Sequence, residues 1–124
     1  MQLLKLVNAE NVIEKLRNEK VDVSLAYKFM KFIQKASNEI KFYNDEINTI
    51  IEKYAIRNDD GTMQSHDNMV QLDVSRQDEY NEEFKKLGET EVEFPEIKFE
   101  LKELQGLQLS AMDILYLDDF IKEA

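Results

Sequence analysis

The fold of this chain is decided by residues 26 to 54, AYKFMKFIQKASNEIKFYNDEINTIIEKY. Apolar side chains recur there alternately three and four residues apart, which is typical of one stripe along a coiled-coil helix. At about 1.5 Å per residue, the stretch predicts a helix about 45 Å long, over about residues 24 to 56. Such a helix must bury its stripe against its own chain or another one. This stripe, called the seam below, consists of Ala26, Phe29, Ile33, Ala36, Ile40, Tyr43, Ile47, Ile50 and Tyr54.

The seam changes width along the helix. Leu25, Met30 and Phe32 flank its start, which predicts enclosure by more than one element, whereas polar residues flank its middle. A narrow stripe suits a single facing helix. Asp22 or Ser24 can cap the start of the helix, since both side chains can accept from backbone N–H groups two or three residues on. On the opposite face, a solvated surface is predicted for Lys28, Lys31 and Lys35.

Two elements are predicted before the long helix. Residues 3 to 7, LLKLV, read as a short strand or an extended lead-in, with Asn8 as the cap of the element that follows. A first amphipathic helix of about ten residues is then predicted from apolar residues spaced i, i+3, i+4, i+7, namely Ala9, Val12, Ile13 and Leu16.

An exposed acidic loop is predicted after the long helix, over about residues 57 to 74. It opens with the turn signal NDDG at residues 58 to 61 and includes a short strand at Met69 to Asp73. Ser75 and Asp78 resemble a capping box for a helix over about residues 75 to 87, with Gly88 in the left-handed conformation that stops it. This short helix offers only three residues to the seam, Tyr80, Phe84 and Leu87. The first helix, the C-terminal segment or another chain must cover the rest.

The last third, about residues 91 to 122, predicts a strand and a C-terminal helix. Alternation of apolar and charged residues from Val92 to Leu101, including Glu96, indicates a half-buried strand interrupted at Pro95. It would pair with the N-terminal lead-in or with Met69 to Asp73 in a sheet of two or three strands. A turn closed by Gly106 leads to a final helix capped by Ser110 with Asp113. That helix is apolar nearly all round, which is typical of burial in a core or at an interface. The fold class is therefore a single domain that is mainly α with minor β: a long helix in an antiparallel helical hairpin, a short N-terminal helix, a small sheet and a C-terminal helix.

The net charge of -10 is unevenly distributed along the chain. Residues 1 to 56 carry nine basic and eight acidic side chains, for +1, and residues 57 to 124 carry seven basic and eighteen acidic, for -11. Direct nucleic-acid binding is disfavoured, because affinity for a polyanion comes largely from Lys and Arg at phosphates. A basic partner surface fits the acidic half, although solubility alone explains it more simply.

No residue pattern identifies a chemistry. The chain has no Cys, and its three isolated Gly residues form no phosphate loop. Ser65, His66 and Asp67 are adjacent, so they cannot converge as nucleophile, base and orienter. The NDDG turn fails the register of a calcium loop. We therefore expect no enzyme activity, no cofactor and no metal. Apolar runs are too short for a membrane span or a signal peptide, so no membrane partner is expected and the default is a cytosolic protein.

Short motifs follow one another along these elements: Glu52, Lys53 and Tyr54; Asp59, Asp60 and Gly61; Phe84 and Leu87; Val92 and Glu93; Ile97, Leu101 and Leu104; and Leu109, Ser110, Leu117 and Phe120. Their order resembles that of small bacteriophage proteins of unknown function. Those proteins have an N-terminal helix, a long helix ending in Glu-Lys-Tyr, an acidic Asp-Gly turn, a short helix before a Val-Glu strand, and a capped final helix. The resemblance implies a phage origin and a place in the host cytoplasm or the virion, and it assigns no active site.

Two classes of function follow. The first, which is favoured, is a non-enzymatic virion structural or assembly protein that acts through protein–protein contact, as a homo-oligomer or with a phage structural partner. The alternative is a small acidic inhibitor whose second half mimics nucleic acid toward a host enzyme or defence system. Seam and final helix together supply the candidate interface: Tyr43, Ile47, Ile50, Tyr54, Leu117 and Phe120.

Overall fold

The computed structural model of the chain describes residues 1 to 95 and 97 to 122. It confirms a mainly α fold with minor β, built on one long helix. Short 3-10 turns at Val74–Arg76, Leu101–Leu104 and Asp118–Phe120 join the main elements. These elements are α1 (Leu3–Asn8), α2 (Glu10–Arg17), α3 (Val23–Tyr54), β1 (Ser65–His66), β2 (Met69–Val70), α4 (Gln77–Gly88), β3 (Phe99–Glu100), α5 (Ala111–Leu117) and β4 (Ile121–Lys122).

The long helix α3 begins and ends close to the predicted residues. Of the two predicted capping residues, Asp22 caps the helix: its Oδ1 accepts a hydrogen bond from Leu25 N at 2.9 Å. Ala55 is extended and ends the helix. Three helices pack against α3, namely α1, α2 and α4, so the predicted hairpin with the short helix is present. The chain itself covers only part of the seam. Its buried members are Phe29, Ile33, Ala36, Ile40 and Tyr54, whereas Ala26 is exposed and Tyr43, Ile47 and Ile50 are half-buried.

The N-terminal lead-in is a helix, which corrects the predicted strand. Leu3 and Leu6 lie three residues apart on one face of α1 and are fully buried, because α1 packs against both α3 and α4. Strand-like pairing is reduced to one bridge between Gln2 and Glu91. Asn8 is not a cap, since α2 begins after Ala9 without any side-chain cap.

The core is centred on Phe32, which lies beside the seam on α3. Its ring is fully buried and meets three other rings edge to face: Phe120 at 4.8 Å, Phe99 at 5.4 Å and Phe94 at 5.6 Å between centroids. Edge-to-face pairs of this kind stabilise the fold by more than the burial of their apolar area alone. This cluster ties the N-terminal half of α3 to the last third of the chain.

The predicted strand from Val92 to Leu101 is wrong over most of its length. Phe94 and Phe99 both contact Phe32, yet side chains five residues apart lie on opposite faces of a regular strand. The segment is therefore irregular, and only β3 pairs, in parallel with β4. Glu96 lies outside the described residues. Neither predicted partner pairs with this segment; β4, which follows α5, does so instead. The 3-10 turn Asp118–Phe120 ends α5 before β4 and places Phe120 in the core.

Helix α4 lies where it was predicted, but the residues predicted to cap its two ends are wrong. Ser75 and Asp78 form no capping box; instead the Asp73 carboxylate accepts from Ser75 N at 3.0 Å and caps the 3-10 turn that precedes α4. Gly88 is the last helical residue and does not adopt the left-handed conformation, which occurs at Gly61 and Gly106 among the glycines. By contrast, the predicted box of Ser110 with Asp113 is confirmed at α5.

Candidate interaction surfaces

The six predicted interface residues divide into two groups. Tyr43, Ile47 and Ile50 are half-buried on α3, and for them the interface stays a prediction. The other three are covered by this chain itself, because Tyr54 packs under α4 and the C-terminal segment enters the core: Tyr54, Leu117 and Phe120 are 4%, 0% and 2% exposed.

Tyr54 is the centre of a polar and aromatic junction between α3 and α4. The Tyr80 ring meets the Tyr54 ring edge to face at 5.7 Å, and the Arg76 guanidinium carbon lies 4.5 Å from the Tyr54 ring centroid. Lys53 Nζ donates to Glu83 Oε1 at 3.0 Å. These contacts anchor α4 to the C-terminal end of α3.

The Glu83 carboxylate is the negatively charged group of this junction, and it interacts with both Tyr54 and Lys53. The neighbouring Tyr54 hydroxyl and Lys53 ammonium hold the pKa of the Glu83 carboxyl below its ordinary value. The same carboxylate raises the pKa of Tyr54 and of Lys53. The second oxygen of Glu83, Oε2, is buried and has no partner with hydrogen-bond geometry among the described residues. The junction is therefore matched to an ionised Glu83.

The outer face of α5 is apolar and exposed. Met112, Leu115 and Tyr116 share one face of the helix and are 53%, 60% and 40% exposed. Two acidic residues of this region are neutralised within the chain, since Lys15 Nζ lies 2.6 Å from Asp113 Oδ2 and Lys5 Nζ lies 3.4 Å from Asp119 Oδ2. The α5 outer face is one candidate surface for protein contact.

The predicted acidic loop is an ordered arm. We define the arm as residues 57 to 72; none of its residues is buried. It is held by its own backbone: Asn58 N donates to Thr62 O, and Gln71 N donates to Gln64 O, both at 2.8 Å. The Asp60 carboxylate accepts from both the N–H and the hydroxyl of Thr62, which lowers the pKa of Asp60. The sequence predicted its exposure but only one of its strands.

The arm ends in a tight β-hairpin. Strands β1 and β2 pair in antiparallel fashion across Asp67 and Asn68, whose φ values of 52° and 65° are those of a two-residue hairpin turn. Met69 follows this turn and is 69% exposed. His66, the single histidine, is exposed on β1, 3.3 Å from the Asp67 carboxylate. The tip thus presents one large apolar side chain beside an acidic one.

A basic groove lies near the other end of α3. We define the lysine groove as a cavity of about 630 Å³ beside the start of α3 and strands β3 and β4. The sequence singled out Lys28 and Lys31 as a solvated face. It could not predict that Lys98 and Lys122, about 70 and about 90 residues further along the chain, join them. The groove is lined by Tyr27, Lys28, Lys31, Ile97, Lys98, Glu100 and Lys122.

Two of the four lysines are engaged within the chain. Lys28 Nζ pairs with Glu103 Oε1 at 2.8 Å, and Lys98 Nζ donates to Asp119 O at 2.5 Å. Lys31 Nζ lies 5.4 Å from the centroid of the exposed Tyr27 ring. Among the described residues, Lys31 and Lys122 have no carboxylate partner. The groove can therefore attract an anionic group.

No group of three or more His, Asp or Glu residues that could hold a metal ion occurs within residues 1 to 95 and 97 to 122. In the same part of the chain, every helix is too short or too polar to cross a membrane. No protein-family model, curated protein or solved structure matches the chain.

Proposed function

We propose that this is a non-enzymatic protein that acts through protein–protein contact, as a structural or assembly component of a bacteriophage particle. The arm is the observation that carries the proposal. It is ordered by its own hydrogen bonds, yet it buries no residue and so adds little to the stability of the core. Binding elements are typically loops presented on a rigid scaffold. We assign the arm to that role.

The long helix supports the proposal as the scaffold. Its 32 residues span about 48 Å, and the arm begins directly after its last turn. The Tyr54 junction holds the base of the arm. Asp73, the residue that follows the arm, donates its N–H to Tyr54 O at 2.9 Å. A rigid rod with an exposed binding element at one end suits a part that spaces or links other chains.

The phage assignment is supported by the resemblance of the motifs along the chain. The assignment implies a location in the virion or in the cytoplasm of the infected host. The protein's partners would be copies of itself or another structural protein of the particle. Mass spectrometry of purified particles tests this assignment, with presence at a fixed copy number as the expected result and absence as the contradicting one.

Light scattering at micromolar concentration tests the role of the arm. We expect a defined oligomer for the wild type and a monomer for the arm variant Asp59→Lys/Met69→Lys, because the variant reverses one charge and removes the exposed apolar side chain. The matched control is Met112→Lys/Asp118→Lys, which makes the same two changes on and beside the α5 outer face and should leave the oligomer intact. A monomeric wild type, or dissociation by the α5 control alone, would contradict the proposal.

The acidic second half favours one other function, inhibition of a host nucleic-acid enzyme or defence system by mimicry of nucleic acid. A monomer that captures a nucleic-acid-binding protein from host lysate, and releases it when salt or competing DNA is added, would support this alternative. Capture that does not respond to salt would exclude mimicry, because attraction between exposed charges is screened by salt.

A further inference from the structure

We infer that the arm of one copy binds in the lysine groove of a second copy, so that the chains assemble head to tail. The inference rests on the proposed function and names the partner and the receiving surface. It follows from the charges of the two surfaces, from their exposed apolar groups and from their positions along α3.

The two surfaces carry opposite charge. Among the described residues, four lysines and one glutamate line the groove, and Glu103 neutralises one of these lysines, Lys28, which leaves a net charge of +2. Arg57, Asp59, Asp60 and Asp67 give the arm a net charge of -2. The groove is thus a local exception in a chain of net charge -10. Complementary potentials of this kind set partner choice and orientation at an interface.

The overall negative charge of both copies does not prevent this contact. At physiological ionic strength, exposed charges separated by more than about 8 Å are largely screened. The arm begins directly after α3 and none of its residues is buried, so its own charges are accessible to the groove of a second copy. A nucleic acid is a poorer occupant, because a polyanion longer than the groove would also meet the rest of a chain whose net charge is -10.

Apolar groups on both surfaces provide an anchor. Met69 is 69% exposed next to the two-residue hairpin turn, and Tyr27 of the groove is 58% exposed beside the half-buried Ile97. Methionine adapts to irregular apolar gaps and contacts aromatic rings favourably. Met69 against Tyr27 and Ile97, with Asp67 and Asp59 facing the lysines, would give an apolar centre with a charged rim.

The positions of the two surfaces require two different copies. Lys31 precedes Tyr54 by 23 residues of continuous helix, which separates the groove from the base of the arm by about 35 Å. The arm cannot fold back over that distance. Its ends are tied together by the Ile56 N to Gln71 O hydrogen bond of 2.9 Å, so each limb has only about seven residues and spans at most about 25 Å. A contact between different patches of two copies is heterologous, and it generates a ring or an open chain.

Mixing variants tests this contact. The groove variant Lys31→Glu/Lys122→Glu and the arm variant Asp59→Lys/Met69→Lys should each be monomeric by light scattering, with self-association weakened at least about tenfold. Mixed together, they should form a 1:1 dimer and nothing larger, since the first retains an intact arm and the second an intact groove. The control Lys20→Glu/Lys86→Glu, which reverses two exposed lysines elsewhere, should assemble like the wild type.

The outcomes separate this inference from the proposed function. An arm variant that is monomeric beside a groove variant that assembles normally would overturn the groove as the receiving surface and leave the proposed function standing. A mixture that stays monomeric would overturn the head-to-tail contact as well. A wild type that is monomeric at high concentration would overturn both. Circular dichroism melts of each variant identify any that has failed to fold, in which case the milder pair Lys31→Gln/Lys122→Gln replaces the groove variant.

Discussion

At the scale of single residues, the arrangement of Phe32 explains where the core lies. Phe32 is not a seam residue, but it is adjacent to the seam residue Ile33 and meets the rings of Phe94, Phe99 and Phe120. The widened stripe predicted near the start of α3 therefore faces the last third of the chain. The aromatic contacts, and not the seam alone, decide how that end of the helix is enclosed.

Gly88 provides a residue-scale prediction. It is buried in the last turn of α4 without a left-handed backbone, and an added Cβ would meet Leu4 Cβ at 3.4 Å, an ordinary contact. Gly88→Ala should therefore raise the free energy of unfolding by about 0.5–1 kcal/mol, because alanine restricts the unfolded chain. Urea unfolding measures it.

The control for Gly88 is Gly106. Its φ is +90° and nothing lies within 4 Å of an added Cβ, so Gly106→Ala changes only the backbone preference. It should lower the free energy of unfolding by about 1–2 kcal/mol. If Gly88→Ala were as destabilising as Gly106→Ala, Gly88 would be the left-handed helix stop that its sequence context predicts.

At the scale of elements, the attachment of α4 to α3 should depend on pH. The pKa of Glu83 is lowered in the folded protein by Tyr54 and Lys53, below its unfolded value of about 4.3. A lowered folded pKa means that Glu83 stabilises the fold above the unfolded pKa, and that this contribution is lost as the pH falls through the folded pKa.

Glu83→Gln tests this pH dependence. The loss of stability between neutral pH and about pH 3 should be smaller in the variant than in the wild type, because glutamine does not titrate. Urea midpoints at the two pH values measure the difference. Glu82→Gln, an exposed neighbour on the same helix, is the control. An unchanged pH dependence in Glu83→Gln would show that the junction does not depend on an ionised carboxylate.

At the scale of the whole molecule, the arm should be separable from the fold. Ile56 and Gln71 are joined by a 2.9 Å hydrogen bond, so a two-residue Asn-Gly turn can replace residues 57 to 70 between them. The shortened chain should keep its helical circular dichroism and melt at nearly the wild-type temperature, because no arm residue is buried. It should also lose self-association. Loss of cooperative melting would show that the arm supports the core.

Much of the fold could be predicted from local patterns. The seam predicts α3, the spacing of Val12, Ile13 and Leu16 predicts α2, and the box of Ser110 with Asp113 predicts the start of α5. Helix periodicity and capping depend on residues within one or two turns, so they can be predicted from a single sequence. The exposure of the arm can be predicted for the same reason, since its mostly polar residues offer little apolar surface to bury.

The sequence by itself determined α2, α3 and the position of α4, the caps at Asp22 and Ser110, and the acidic loop, because short-range spacing and hydrogen bonding dictate them. Only the tertiary structure decided which elements contact each other: α1 packs against α3 and α4, and β4 pairs with β3. It also decided the irregular backbone around Phe94 and Phe99, and it brought Lys98 and Lys122 beside Lys28 and Lys31. The physical reason is sequence distance. Burial in a shared core joins residues up to a hundred positions apart, and no local period records those contacts.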